Sequence, residues 1–462
     1  MTKLRAPAVP LITVDPFFTV WSQKTSLNFQ NTIHWSKRTQ YIFGAVFVDG
    51  TEYVFLGYEK NERKLLQTSL EINALSTIAV YEGAGIKLTA RFMTPLLLDD
   101  LKILTRPVSY LELSYESTDG KTHEVTASVS VSFEHCMPSK DSHPLLNESF
   151  NVGDITGVKL GAVPEEQNPL SYSGDNVVID WGYLYLGAVG ADVKAHDDIL
   201  HPYRLRPGAS VETVLECGTP RLFLFAYDDI ESINYFGDKL RSVWCQDGTT
   251  IEQAIVNAAA DYESLKARCD KFSSELTAEA TEVGGEKYAE LLSLAYRHVI
   301  AAHKLVVDKN GELVLISKEC DSNGCAATVD VSYPTMPIFL RYCPDLVRAL
   351  MRPIYKFAAS EKWTYDFAPH DAGHYPIVTG QYYGYDKARD IHKFESQMPV
   401  EECGNMIIME ACALLADGKT DFVSSHLDTL KGWVEYLIKY GEDPENQLCT
   451  PIIFIGSVTL DD

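Results

Sequence analysis

The sequence predicts a multi-domain chain of β-then-α type, an antiparallel β-sandwich followed by a helical domain, and three observations carry that expectation. Up to about residue 245, apolar and polar residues alternate in short runs. Asp-Gly pairs at Asp49-Gly50 and Asp119-Gly120 supply the positive-φ residues that tight turns prefer. After Gln246 the apolar period lengthens to that of a helix. A length of 462 residues exceeds what one hydrophobic core usually supports, which sets two regions, 1–245 and 246–462.

The clearest strand is V-T-A-S-V-S-V-S-F, in which Val125, Ala127, Val129, Val131 and Phe133 share one face and Thr126, Ser128, Ser130 and Ser132 the other. Similar patterning predicts strands at Ile42–Val48, Glu52–Leu56, Ile86–Phe92, Tyr110–Tyr115, Val177–Asp180, Tyr183–Gly187 and Arg221–Tyr227. Strong helix formers run from Ile251 through Glu275, and Tyr288, Leu291, Leu292, Ala295, Val299 and Ala302 recur at helical spacing. Further helices are expected at about 337–359, 401–417 and 420–440.

Composition narrows the partners. With 40 Lys+Arg against 64 Asp+Glu, the net charge of -24 repels phosphate backbones and anionic lipid surfaces, which argues against nucleic acid and membrane. No window approaches the roughly 18 apolar residues that span a bilayer. The start, M-T-K-L-R-A-P-A-V-P-L-I, lacks the apolar core of a secretory signal, so a cytoplasmic location is expected. Ten scattered cysteines without paired CxxC spacing give no zinc signature, and neither a metal nor a cofactor is called for.

Between Ser317 and Cys449 lie runs too polar and too rich in Gly and Pro for a packed core: S-K-E-C-D-S-N-G-C-A-A-T-V-D-V-S-Y-P, F-A-P-H-D-A-G-H-Y-P, T-G-Q-Y-Y-G, M-P-V-E-E-C-G-N-M and Y-G-E-D-P-E-N-Q-L-C. Hydrolysis of an amide or glycosidic bond benefits from two carboxyl groups, one as base or nucleophile and one as acid. Asp330, Asp371, Glu401 and Glu402 are the catalytic candidates. Glu401 and Glu402 open a helix after Pro399, where the helix dipole alone favours acids. Neighbouring helical positions point about 100° apart, so at most one of the two faces a cavity. His370 and His374 flank Asp371 on a Gly- and Pro-bounded loop, where they serve a substrate oxygen, a metal or backbone carbonyls. Asn323, Gln381, Tyr382 and Trp363 complete the candidate substrate-binding set, the aromatic rings as a floor for a ligand ring.

Together with L-R-A-P-A-V-P-L-I-T-V-D-P from Leu4, these runs closely resemble the glutaminase A-like family, over residues 4 to about 450. The resemblance implies a β-sandwich followed by an (α/α)6 toroid of six-hairpin glycosidase type. It also implies hydrolysis of the glutamine side-chain amide by carboxylates in the toroid cavity, acting on a small-molecule substrate. T-V-D-V-S-Y-P-T-M-P-I-F-L and P-H-D-A-G are similar, more remotely, to runs in retaining β-glucosidases of the bile-acid type, which makes glycoside hydrolysis the alternative. Family members continue past N-Q-L-C-T with a polar Asp-Asp-Phe-Ala-Gly-His run, whereas this chain reads T-P-I-I-F-I-G-S-V-T-L-D-D. An incomplete toroid with impaired activity is therefore expected, and a non-catalytic half that binds a complementary C-terminal half is the third alternative.

Overall fold

The computed structural model describes residues 6–58, 63–137, 144–200 and 207–442, so the D-P-E-N-Q-L-C run and the apolar stretch Pro451–Val458 lie outside the described residues. The chain divides into two compact units: Met1–Pro169, Val177–Ile230 and Val243–Ala302 form the first, and Leu170–Asn176, Glu231–Ser242 and His303–Asp462 the second.

The first unit is built on two antiparallel sheets. One has the strand order Lys194–Leu200, Pro207–Leu215, Val125–Ser132, Ile42–Val48, Thr51–Leu56. The other runs Leu145–Val152, Ile155–Ala162, Tyr183–Val189, Arg221–Asp228, Val108–Ser117, Ile86–Met93, Ser76–Gly83, Leu66–Ile72. Val125, Ala127, Val129 and Val131 are buried while Thr126, Ser128 and Ser130 are half-exposed, as the alternation requires. Asp49 and Gly50 both take positive φ and close the two-residue hairpin between Val48 and Thr51. Asp119-Gly120 instead links Val108–Ser117 in one sheet to Val125–Ser132 in the other. The predicted strand at Val177–Asp180 does not form: the segment is irregular, with Val178 and Ile179 buried. Its apolar residues were a packing signal rather than a ladder signal.

After the short α1 (Leu101–Thr105), α2 (Ile251–Gly284) and α3 (Glu286–Ala301) complete this unit. The change of period at residue 246 and the boundary of the compact units thus do not coincide. The physical reason is the face that α2 presents. Ile251, Ala254, Ile255, Ala258, Tyr262, Leu265 and Cys269 are buried along it. Around that stripe Arg106 pairs with Asp261 at 2.9 Å, Lys266 with Glu112 at 2.6 Å, and Arg91 with Asp270. From α3, the Tyr296 hydroxyl donates to the Leu96 carbonyl at 2.7 Å.

The second unit begins with the hairpin His303–Val307 and Leu313–Ser317, followed by α4 (Val329–Tyr342) and α5 (Pro344–Ala358). Then come α6 (Pro399–Asp417), α7 (Asp421–Ser425) and α8 (Leu427–Tyr440). The single helix expected at 337–359 is therefore two. It starts earlier, with Pro334 and Pro337 accommodated inside α4, and it breaks at Cys343 ahead of Pro344. α5 buries Leu346, Leu350, Ile354 and Phe357 on one side and carries Arg348, which bonds Asp417 at the end of α6 at 2.6 Å. α6 stops at Gly418, whose φ of 72° is the left-handed cap conformation. A small sheet in the order Asp238–Leu240, Ile233–Tyr235, Ile377–Val378, Gly373–His374, Cys325–Ala326 ties the loops of this unit together.

Leu350 is 1% exposed at the centre of α5. Leu350→Ala is expected to cost about 2–5 kcal/mol, read as a lower urea midpoint with an unchanged slope.

Candidate active site

Asp371 holds the loops of the candidate site in place. One carboxylate oxygen accepts from the backbone N–H of Gly373 at 3.0 Å and of Tyr382 at 2.8 Å; the other accepts from the Tyr383 N–H at 3.1 Å and lies 2.9 Å from His370 Nδ1. With both oxygens occupied and the side chain fully buried, Asp371 acts on its neighbours and not on a ligand. The sequence places it among the catalytic candidates; in the structure its oxygens are taken up by the loop. Gln381 reinforces the same clamp: its carbonyl oxygen accepts from the His370 N–H at 3.2 Å, and its amide donates to Tyr383 O at 2.7 Å and to Gln397 at 2.8 Å.

Because Nδ1 of His370 faces Asp371, Nε2 is left to face Asp330, whose nearer oxygen lies 3.9 Å away. Asp330 reaches this position on the first turn of α4, anchored where the Val329 N–H donates to the His370 carbonyl at 2.8 Å. Pro399 starts α6, and of the two acids in its first turn Glu402 points inward, with no exposure, while Glu401 is half-exposed. Asp330, His370 and Glu402, from three separate sequence runs, each offer one atom, and these atoms lie within 4.8 Å of one another.

Burial pushes Glu402 well above the ordinary carboxyl range, and the charges of Asp330 and Glu401 push the same way. Neither of its oxygens has a hydrogen-bond partner at normal geometry among the described residues. Glu402 is thereby biased toward its protonated form, with Asn405 opposing the shift. Burial alone would depress His370, but Asp371, Asp330 and Glu319 outweigh it and hold the imidazole above its ordinary value. The cluster is thus acid-rich at its centre, with a carboxyl group whose burial favours its protonated form and an imidazole whose charged form the neighbouring carboxylates favour. The same three side chains present one nitrogen and two carboxyl oxygens, a donor set that divalent ions accept.

Glu319 is a group the sequence reading passed over. It follows the strand Leu313–Ser317, accepts from the Thr328 hydroxyl at 3.3 Å, and is only partly buried. Burial raises its pKa, the Ser322 and Asn323 side chains oppose that, and Asp330 adds to it. The signal available beforehand was its place in S-K-E-C, two residues beyond the end of an apolar strand and ahead of the turn at Gly324.

The remaining candidates are not gathered at this cluster. His374 turns away, with Nε2 2.9 Å from the Asn323 carbonyl and Nδ1 3.2 Å from Ser173 Oγ, so the metal set of His370, Asp371 and His374 is not assembled. The side-chain oxygen of Asn323 accepts from the Cys325 N–H at 2.8 Å and shapes the turn. Trp363 is buried among Phe357, Tyr365 and Phe367, its ring N–H donating to the Phe367 carbonyl at 2.8 Å, so it is core and not a ligand floor. Tyr382 is exposed and stacks on His374.

Residues 285–459 match the family described as the glutaminase A six helical-hairpin domain, and residues 1–67 and 75–200 match two domains of unknown function. Glutaminase A of Aspergillus oryzae (strain ATCC 42149 / RIB 40) is 28% identical over 498 residues, covering 98% of this chain and 69% of that protein. Residues 285–459 carry the glutaminase A six helical-hairpin domain, and the chain is similar to glutaminase A over nearly its whole length. Among solved structures, the family GH92 inverting mannosidase from Bacteroides thetaiotaomicron VPI-5482 aligns with a TM-score of 0.42 at 10% identity, covering 92% of this chain and 62% of that one. A family GH92 alpha-mannosidase from Bacteroides thetaiotaomicron aligns with a TM-score of 0.37 at 10% identity, covering 95% and 64%. This chain therefore spans less than two thirds of either mannosidase.

Two outcomes follow for this glutaminase A-like chain. A carboxyl group whose folded pKa lies above its unfolded value of about 4.3 weakens the fold as pH rises between the two values, and has no such effect below both. Glu402→Gln is accordingly expected to melt several degrees above the parent at pH 7, with the difference vanishing toward pH 4 in paired thermal scans. Gly324 has φ +75° and no room for a side chain, since an added Cβ would lie 2.7 Å from the backbone of Asp175. Gly324→Ala should destabilise by more than about 1 kcal/mol, measured as a lower melting temperature.

Proposed function

We propose that the chain is a hydrolase that cleaves the side-chain amide of glutamine or a related primary amide, with Asp330 as the reacting carboxylate. The observation that carries this reading is the convergence within 4.8 Å of Asp330, His370 and Glu402, whose burial favours its protonated form. Two carboxyl groups this close do not both ionise, and sharing one proton suits them to acid–base chemistry at a carbonyl. The separation is shorter than the roughly 6.5–9.5 Å between the carboxyl groups of inverting glycosidases, so no water fits between them in that manner.

Asp330, with 20% of its side chain exposed, is the member of the cluster that meets solvent. It accepts a proton from water as the water oxygen adds to the amide carbon. The His370 imidazole, fixed by Asp371, stabilises the charge near Asp330, and Glu402 in its protonated form leaves Asp330 ionised. Glu319, which burial keeps protonated to a higher pH than usual, gives its proton to the departing nitrogen as the C–N bond breaks. The products are a carboxylic acid and ammonia. The name of the Aspergillus oryzae relative supports glutamine as the first substrate to assay.

Asp330→Asn is expected to lower ammonia release from glutamine by about 10²–10⁴-fold without changing the melting curve by more than a few degrees. A coupled ammonia assay with a parallel panel of chromogenic glycosides checks it. Undiminished ammonia release by Asp330→Asn, or turnover of a glycoside and not of glutamine, overturns the reading.

A further inference from the structure

A cleft of about 560 Å³ opens in the second unit, and none of Asp330, His370, Glu402 or Glu319 lines it. Its volume lies within the range of sites that enclose a small organic ligand. The walls combine an aromatic platform with a polar fringe. Tyr382 lies parallel to the His374 ring, with centroids 4.0 Å apart and planes at 6°, and is itself 38% exposed. The layer beneath it is rigid, because both nitrogens of His374 are held, by Ser173 and by the Asn323 carbonyl. The Tyr382 N–H is fixed on Asp371. Tyr385 forms a second aromatic face, its hydroxyl held by Asp390 and its ring 4.9 Å from His392. The partly exposed Tyr382 ring, fixed from below and along its backbone and with the Lys387 ammonium 5.7 Å from its centroid, is a stacking surface that loses little freedom when a ligand displaces that lysine and settles on it.

The fringe decides the class of ligand. Lys362 and Lys387 are matched in the lining by Glu361 and Asp390, two cations against two carboxylates, so the cleft has no net sign to concentrate a phosphate or any other multiply charged group. Thr364 and Thr379 add exposed hydroxyls, and a purely apolar ligand would leave this fringe without partners. A ring with one apolar face and polar groups around its edge satisfies both wall and fringe. From this geometry we infer that the cleft is a carbohydrate-binding site, taking a neutral sugar of one or two rings with its C–H face on Tyr382 and its hydroxyls toward Lys362, Lys387, Glu361 and Asp390. Such binding is separable from the bond cleavage assigned to Asp330, because the two share only the loop clamped by Asp371.

The test titrates methyl glucoside, methyl galactoside, methyl mannoside and maltose into the full chain, followed by saturation-transfer NMR and calorimetry. At least one of these probes is expected to bind, Tyr382→Ala to weaken it at least tenfold, Tyr382→Trp to retain it, and Asp330→Asn to leave it unchanged. Tyr385→Ala gives a second, independent loss should Tyr382→Ala fold poorly. Binding of none of the four sugars, equal binding by Tyr382→Ala and the parent, or displacement of the sugar by glutamine at comparable concentration overturns the inference. Loss of glutamine turnover in Asp330→Asn with no sugar bound would remove this site and leave the hydrolase reading standing.

Discussion

The buried carboxylate of Asp371 is the constraint on which the candidate site depends. Four donors converge on its two oxygens, three of them backbone N–H groups from chain segments eight or more residues apart at their extremes. An isolated buried charge would be costly, and hydrogen bonds to a charged acceptor are the strong ones, so the carboxylate and the loops stabilise each other. Through this one group the direction of His370 Nε2, the path of the loop at Tyr382 and Tyr383, and the start of α4 are set together. No rigid helix crosses this loop, so the precision expected of a site built on secondary structure comes here from a polar knot.

Around that knot the electrostatics are deliberately uneven. Glu402 lies at the start of a helix, where the dipole favours negative charge, yet its burial and the neighbouring acids push its pKa up. Desolvation outweighs the dipole because the dipole offers at most about 1–2 kcal/mol, whereas full burial moves carboxyl groups by several pKa units. His370 shows the opposite balance, since its ion pair with Asp371 overrides burial. Opposite outcomes at two buried groups a few ångströms apart are what an acid–base site requires.

The sandwich was legible because period-two patterning and Asp-Gly turns are local signals, and the alternation read from Val125 holds through Val131, failing only at the strand end, where Ser132 is buried and Phe133 enters a short turn. Helix starts were less so: the helix expected from about 337 begins at Val329, which puts Asp330 in its first turn. Asp330, His370 and Glu402 were recognisable by residue type and by their runs, but their convergence was not, because it depends on contacts between segments about thirty to seventy residues apart. Asp371 and Trp363 were misjudged for one reason. Residue type and loop context do not tell which side chains the fold turns inward, and a carboxylate surrounded by N–H groups or a tryptophan among phenylalanines looks the same in a string of letters as one facing a ligand. Glu319 escaped notice although its place just after an apolar strand was a local signal, because that place alone does not show which neighbours it meets.

The division into units has a consequence for how such a protein arises. The chain enters the second unit at 170–176, returns, enters again at 231–242, returns to lay down α2 and α3, and only then enters for good at 303. The first two excursions carry parts the second unit needs: Asp175, whose carbonyl accepts from Lys318 at 2.8 Å, and the strand Ile233–Tyr235, which joins the small sheet beside Ile377–Val378. Two ancestral modules spliced end to end would not leave their strands interleaved in this way. Neither module is a contiguous cassette, so exchange of one half between relatives by a single crossover would carry mismatched threads into both, and the pair is constrained to diverge as one inheritable piece.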